Sequence, residues 1–376
     1  MSPNRYVPHT SQPTNMEAKR VNYVGIDIGK KRCAACVTDE EGKVQRELIY
    51  RNTHTGITEL AETLSEHGEC TAVLESTGNL WLKTYEVLEG NGIPVKLANP
   101  LKTRAIAEAR IKTDKISAKI LAHLLRADLI PECYIPPRPV RERRDLLRHR
   151  SALVKARTVA RNQIHNILDK YDKTSGYKDM FCKAGMRWLE NLELQGIDQE
   201  ILMSHLRHLR ELDTEIGYVE SLIASEALKD ENVALLLTLT GVSYFGALLL
   251  VSEIGDIARF SSPKKLVSWA GLCPTLHQSG EMVKYGRIKK AGNRHVRWLM
   301  VQAATSASQH DEELRRLYLR TRGRQGHQKA VVRVANKMLR IIWCMLTKKE
   351  PYRGGKEGLF RVKLMRMERV AGSGQA

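Results

Sequence analysis

Long apolar runs are missing from this 376-residue sequence. The most apolar piece, residues 247–251, is a fragment of a soluble core, and nothing approaches the roughly 18 residues that a membrane span requires. No membrane partner is therefore expected. A charged-then-apolar start with a small-residue cleavage site is also missing, so secretion is not expected. Cysteine is sparse. Seven residues, an odd number and scattered, argue against a disulfide framework and fit a reducing cytosol. Cys33-Ala34-Ala35-Cys36 has the spacing of a zinc or redox pair, but it lies in an apparent strand. Residues three apart there point to opposite faces, and no second pair follows to complete four ligands. Acids are in short supply: 42 Asp and Glu face 61 Lys and Arg, a net charge of +19. That balance favours a polyanionic partner, of which nucleic acid is the commonest.

The acids that are present fall in telling places. In Tyr23-Val24-Gly25-Ile26-Asp27-Ile28-Gly29 a short apolar strand delivers Asp27 and then turns on a glycine. Glu75 ends the run Ala72-Val73-Leu74-Glu75, and Asp114 sits in Lys112-Thr113-Asp114-Lys115. A strand that ends in an acid holds it at the sheet edge, where several acids can converge on a hard cation. Mg²⁺, or Mn²⁺ in its place, takes oxygen ligands from a few carboxylates and keeps some water. On a basic chain this points to metal-assisted cutting of a phosphodiester. Each acid alone has a plainer role as a turn or cap residue, and Asp114 suits the positive end of a helix.

Hydrophobic patterning divides the chain. Strands are expected over 21–28, 33–38 and 44–50, then a helix over 57–66 leading to the Glu75 strand. A helix over 80–90, a strand over 94–98 and a helix over 113–127 follow. Three antiparallel strands followed by βαβ units describe a mixed sheet of the ribonuclease H type. The proline-rich linker Ile135-Pro136-Pro137-Arg138-Pro139 ends this part. Residues 138–170 then carry ten Lys/Arg and three acids on an apolar stripe of Leu147, Val154, Ile164 and Leu168, a long helix with a basic face. Arg141, Arg144, Arg148, Lys155, Arg157 and Arg161 are its candidate contacts to a nucleic-acid backbone; a solvated charged face is the plainer alternative. Leu202, Leu209, Ile216 and Ile223 recur every seven residues, with Leu212 and Val219 between them, as in a coiled-coil arm. Whether it pairs within the chain or across a dimer is left open.

From about residue 233 short helices with glycine turns are expected, and the segment beyond 350 reads as a flexible tail. Leu239-Thr240-Gly241-Val242 resembles a helix–hairpin–helix turn, whose amides can hold a phosphate; an ordinary helix connection is the alternative. Residues 284–297 hold six Lys/Arg and no acid. Among them Arg287, Lys289, Lys290 and Arg294 are interleaved with glycines, which suits a flexible loop gripping phosphates. Asn293 is a phosphate contact or simply a helix cap. There is no long internal repeat.

Taken together, Gly25-Ile26-Asp27-Ile28-Gly29-Lys30, Leu74-Glu75-Ser76-Thr77-Gly78 and Lys112-Thr113-Asp114-Lys115-Ile116 resemble the DEDD insertion-sequence transposases, a RuvC-like family that includes the pilin-gene invertases. The second half is similar through Ile254-Gly255-Asp256, Gly271-Leu272-Cys273-Pro274, Ser279-Gly280 and Gly286-Arg287-Ile288-Lys289-Lys290-Ala291-Gly292-Asn293-Arg294. Actin-like sugar kinases share the first loop, but the further glycine-rich phosphate loops they need are missing.

The resemblance implies an α/β plus all-α chain. Its parts would be a disordered extension over 1–20, a RuvC-like domain over 21–135 and a basic coiled-coil region over 136–230. A helical transposase domain over 231–350 and the tail over 351–376 complete it. Asp27, Glu75 and Asp114 would be catalytic metal ligands, and Ser279 the nucleophile that forms a phosphoserine link to DNA. A Ser-Gly pair on its own is a turn. Donor and target DNA, a structured guide RNA, and a dimer or tetramer in a bacterial or archaeal cytoplasm at the nucleoid are also implied. One departure stands out. The family places a fourth acid three residues after the third, and here that position is Ser117. A neutral hydroxyl there removes one negative charge. Three acids still hold one ion, and a second ion loses a ligand. A RuvC-type endonuclease using water, with Ser279 a loop residue, and a nucleic-acid-binding protein with impaired catalysis are the alternatives.

Overall fold

The computed structural model describes residues 21–76, 78–107, 113–279 and 282–373. The expected disordered extension 1–20, the motif residues Thr77, Lys112 and Gly280, and the last three residues lie outside the described residues. The chain divides into two compact units, one up to Ile135 and one from Pro136, so the division falls in the proline-rich segment.

The first unit is built on five strands. β1 (Val21–Ile28), β2 (Arg32–Thr38) and β3 (Val44–Arg51) form an antiparallel meander. After α1 (His54–Glu66) comes β4 (Glu69–Glu75), parallel to β1. After α2 (Trp81–Gly90) comes β5 (Val95–Ala98), parallel to β4. The order is β3-β2-β1-β4-β5. Two helices complete the unit, α3 (Pro100–Ile106) and α4 (Asp114–Arg126). A mixed sheet of this kind, with helices on its faces, is consistent with a ribonuclease H-like domain.

Period-two alternation sends the strand residues to two different cores. Val24, Ile26, Ile28, Ala72 and Leu74 pack under Leu60 and Leu64 of α1 and Leu88 of α2. Their neighbours Gly25, Ala34, Cys36 and Val73 lie on the other face, against Ala118 and Leu121 of α4. Cys33 and Cys36 are accordingly buried in separate cores, both as free thiols, and burial pushes both thiols up. Gly25 is where α4 comes closest. A Cβ there would stand 2.0 Å from the Ala118 carbonyl oxygen and 2.4 Å from the Ala122 nitrogen.

The second unit is helical apart from one hairpin. α5 (Arg138–Lys170), α6 (Lys183–Glu190) and α7 (Ile197–Leu228) come first. α5 and α7 pack on one another as an antiparallel pair. The ion pairs Arg143–Asp230, Arg150–Glu220, Arg157–Asp213 and Lys170–Asp198 step down one helix while climbing the other. These pairs are largely half-buried and flank an apolar seam, whose burial holds the helices together. Leu202, Leu206 and Leu209 close over Ile164, Ile167 and Leu168, capped by Leu189 of α6. Ile216, Val219 and Ile223 are also buried. The seven-residue repeat of α7 therefore finds a partner within its own chain.

α8 (Glu231–Leu237) and α9 (Tyr244–Ile254) follow, joined by a turn at Gly241 with φ +86°. The turn presses on a later helix: a Cβ on Gly241 would lie 2.4 Å from the Ala303 carbonyl oxygen. α10 (Pro263–Trp269) leads into the hairpin β6 (Pro274–Ser279) and β7 (Met282–Ile288). α11 (Arg294–His310), α12 (Glu312–Gln325) and α13 (His327–Lys348) complete the main core. The segment expected as a flexible tail contains α14 (Glu357–Gly372), whose Met367 is buried in that same core. One apolar stripe on an otherwise charged helix was enough to dock it.

Candidate active site and nucleic-acid interface

The last paired residues of β1 and β4 are Ile26 and Leu74. One step on, the parallel register sets Asp27 beside Glu75. Both lie two residues beyond positions on the α4 face, Gly25 and Val73, and so on that same face. Each is partly buried. Strand β2 contributes Ala34 opposite Asp27, a small residue that leaves this end of the sheet open.

Helix α4 runs antiparallel to β1, because Ala118 and Ala122 bracket Gly25 while Leu125 packs with Tyr23 near the start of the strand. Its N-terminal end is thereby brought to the strand ends that bear the acids. Thr113 caps it by accepting from the Ile116 amide, and Asp114 opens the first turn. Ser117, half-buried, lies one turn before Leu121, on the side of the helix that meets β4. Asp114 itself is exposed. Among the described residues no three His, Cys, Asp or Glu side chains come together as a metal-holding group. The register thus sets Asp27 beside Glu75, and these two do not close with Asp114 into a three-acid group. Two adjacent carboxylates offering only oxygen, at an open strand edge, still suit Mg²⁺, which keeps its waters and takes the rest from phosphate.

In the second unit Ser279 is the last residue of β6, its backbone paired with Met282 across the hairpin. The expected flexible basic loop is therefore strand as far as Ile288, where Arg287 lies, and only residues 289–293 remain a connection to the next helix. Alternating strand residues had been masked in the sequence by lysines and glycines. Its base is fixed by the backbone: the Lys289 N–H donates to the Cys273 carbonyl at 2.8 Å, and the Asn293 backbone N–H donates to the Trp269 carbonyl at 3.0 Å. Arg287, Lys289, Lys290 and Arg294 are all exposed around it.

Asn293 is the N-cap of α11, accepting from the His295 and Val296 amides. Its side-chain nitrogen donates to Glu253, a carboxylate only 2 % exposed at the end of α9. Arg148 donates twice to the other Glu253 oxygen, at 2.8 and 3.1 Å. Arg144 lies 3.7 Å from the carboxylate and donates to the Ser252 and Glu253 carbonyls. Burial pushes the nearby His295 imidazole down, opposed by the Glu253 charge. Glu253 escaped sequence reasoning. Its signal was a lone acid inside the apolar run 247–254, which must be paired if buried.

The basic face of α5 is largely engaged within the chain. Arg144 and Arg148 serve Glu253, Arg157 pairs with Asp213 at 2.9 Å, and Arg161 lies over the Phe181 ring, 4.7 Å from its centroid. Arg141 donates to the Pro136 carbonyl at 3.0 Å. Lys155 is exposed.

A family model for the DEDD transposase domain of IS110 elements matches residues 24–172, and one for the IS116/IS110/IS902 transposase family matches 233–319. The chain belongs to the IS110 family of insertion-sequence transposases. The first match spans the sheet with its acids; the second spans the Glu253 cluster and the Ser279 hairpin. The chain is 28% identical over 354 residues to the transposase for insertion sequence element IS1111A of Coxiella burnetii, covering 90% of this chain and 93% of that one. It is 25% identical over 341 residues to the pilin gene-inverting protein of Moraxella lacunata, covering 88% and 97%. A probable family 20 transposase of Pseudomonas aeruginosa is 24% identical over 346 residues, covering 88% and 98%. An IS110 transposase is expected to act on DNA. None of its described helices is long and apolar enough to cross a membrane.

Proposed function

We propose that this transposase cuts and rejoins DNA through a covalent phosphoserine link at Ser279. The observation that supports it most is the Asp27–Glu75 pair, set by strand register on the sheet face beneath the start of α4. Asp27, Glu75 and Asp114 would hold Mg²⁺ or Mn²⁺, with Ser117 contributing a neutral oxygen. A bound ion supplies Lewis-acid charge to the scissile phosphate and lowers the cost of forming an alkoxide.

The Ser279 hydroxyl gives up its proton as its oxygen attacks phosphorus. The bond from phosphorus to the leaving deoxyribose oxygen breaks, and that oxygen takes up a proton. Rejoining runs the same exchange in reverse with the hydroxyl of the new strand. The rigid hairpin base, held by Asn293 and Glu253, aims the nucleophile, while Arg287, Lys289, Lys290 and Arg294 grip the flanking phosphates. The acids and the serine lie in separate units, as suits an assembly, a dimer or tetramer, in which one subunit's acids meet another's serine. A structured RNA from the element would pair with donor and target DNA in the cytoplasm, at the nucleoid. The antiparallel α5–α7 pair would serve as its coiled-coil arm, with Arg141 and Lys155 among its backbone contacts.

The test incubates the protein with its element's RNA, donor and target DNA and Mg²⁺, then separates covalent protein–DNA adducts. An adduct abolished in Ser279→Ala supports serine recombination. Free nicked DNA without an adduct assigns a water-using nuclease instead. Binding with no cleavage assigns a site disabled at Ser117.

A further inference from the structure

The exposed side of α11 carries Arg294, Trp298, Gln302, Ser306 and His310, spaced four residues apart. At 1.5 Å per residue this stripe runs roughly 24 Å away from the basic hairpin base. Trp298 is 50% exposed, an unusual placement for the largest apolar side chain. From Trp298 onward the stripe forms one wall of an open cavity of about 790 Å³. The opposite wall is α14, which contributes Lys356, Lys363 and Arg366. The floor is the Gly241 turn with Tyr244 and Phe245 at the start of α9.

The charge of this cavity is one-sided. Four cations line it, Arg150 included, against a single acid, Glu220, which Arg150 already pairs. Lys363 donates to the Leu237 and Leu239 carbonyls at 2.7 and 2.8 Å, fixing α14 against the end of α8. Lys356 and Arg366 flank it, and Arg366 acts electrostatically on the Tyr244 hydroxyl. An exposed indole between rows of cations is the arrangement that takes an unpaired base on the ring and its phosphates on the charges. A duplex hides its base faces and leaves the indole without a partner.

We infer that the α11–α14 cleft binds a single-stranded DNA segment, with one base stacked on Trp298 and flanking phosphates held by Arg294, Lys356 and Arg366. The inference rests on the proposed DNA-processing role of the Ser279 hairpin, since the stripe begins where that hairpin ends. The segment would be the unpaired flank of the strand under attack, led out of the site along α11.

The full-length protein is titrated, without divalent metal, into fluorescein-labelled oligothymidylate, a duplex of equal length and oligouridylate. Trp298→Ala is expected to weaken oligothymidylate binding about tenfold, with Trp298→Phe close to wild type and the duplex unaffected. Lys356→Gln should lower the salt dependence of the same binding by about one phosphate contact. Unchanged oligothymidylate binding in Trp298→Ala overturns the inference, as does an equal loss on the duplex. A loss confined to oligouridylate assigns the cleft to RNA and also overturns it. If Trp298→Ala does not fold, photocrosslinking of wild type to a 5-iododeoxyuridine strand decides. A crosslink on the peptide bearing Trp298 supports the site, and crosslinks confined to other peptides refute it. These readouts need no cleavage. Trp298-dependent binding without a Ser279 adduct would sink the recombinase mechanism and leave the cleft standing, and the reverse result would do the opposite.

Discussion

Asn293 donates its side-chain amide to Glu253 at 2.8 Å, and through that one bond the first turn of α11 is tied to the buried end of α9. Arg148 and Arg144, from α5, neutralise the same carboxylate. Three helices and the base of the Ser279 hairpin therefore meet on one acid with 2 % exposure.

Removing that acid strands its partners. Glu253→Ala is expected to lower stability by about 3 kcal/mol, because the Arg148 guanidinium and the Asn293 side-chain amide lose their acceptor and Arg144 loses its counter-charge. Glu253→Gln, which keeps the shape without the charge, should cost less. Denaturant unfolding of the second unit measures both, and a loss below about 0.5 kcal/mol in Glu253→Ala would refute the assignment.

Gly25→Ala tests how α4 is seated. The added Cβ would meet the Ala118 carbonyl oxygen at 2.0 Å and the Ala122 nitrogen at 2.4 Å, and both are backbone atoms that cannot rotate away. The helix must lift from the sheet at a cost of about 1–3 kcal/mol, carrying its first turn with Asp114 and Ser117 along with it. Amide exchange in α4 should accelerate while β2 and β3 stay protected. Unchanged exchange in α4 would contradict the close approach.

Ser117→Asp restores a carboxylate one turn beyond Asp114, on the side of α4 that meets β4. The Mg²⁺ concentration giving half-maximal DNA cleavage is expected to fall on the order of tenfold, since ligand charge sets affinity for a hard cation. An unchanged metal requirement would place residue 117 outside the metal site.

Lys363 predicts a pH effect. Burial pushes its ammonium down to about 8, from 10.5 in an exposed lysine. Between those values the unfolded chain holds a proton that the folded chain has released, so unfolding takes one up. Stability must then rise with pH across that window, and show no slope from this group below it. Comparing wild type with Lys363→Met isolates the effect. The stability difference between them should shift towards wild type from pH about 8 to 10.5. A difference independent of pH would refute it.

Much of the first unit was legible because its signals are local. The strand over 21–28 and the helix from 113 were expected within a residue of where β1 and α4 lie, and Asp114 does open the first turn of α4. The strand order followed from a meander joined to crossover units. The short α3 was not foreseen, and neither was α14 beyond residue 350, whose single buried Met367 is a weak sequence signal. The Ser279 segment read as a loop because its lysines and glycines obscured the period-two pattern.

The sequence by itself determined the strands and most helices of the first unit and the placing of Asp27 and Glu75 at strand ends, since these depend on neighbours a few residues away. Its heptads in α7 named a helical seam but not the partner. Only the tertiary structure decided where the charges go. Arg144, Arg148 and Arg157 read as a solvent-facing basic stripe until folding brought Glu253 and Asp213 to them from 105 and 56 residues away in the chain. A charge advertises its sign in the sequence, but its partner is chosen by packing, and packing is a property of the whole chain.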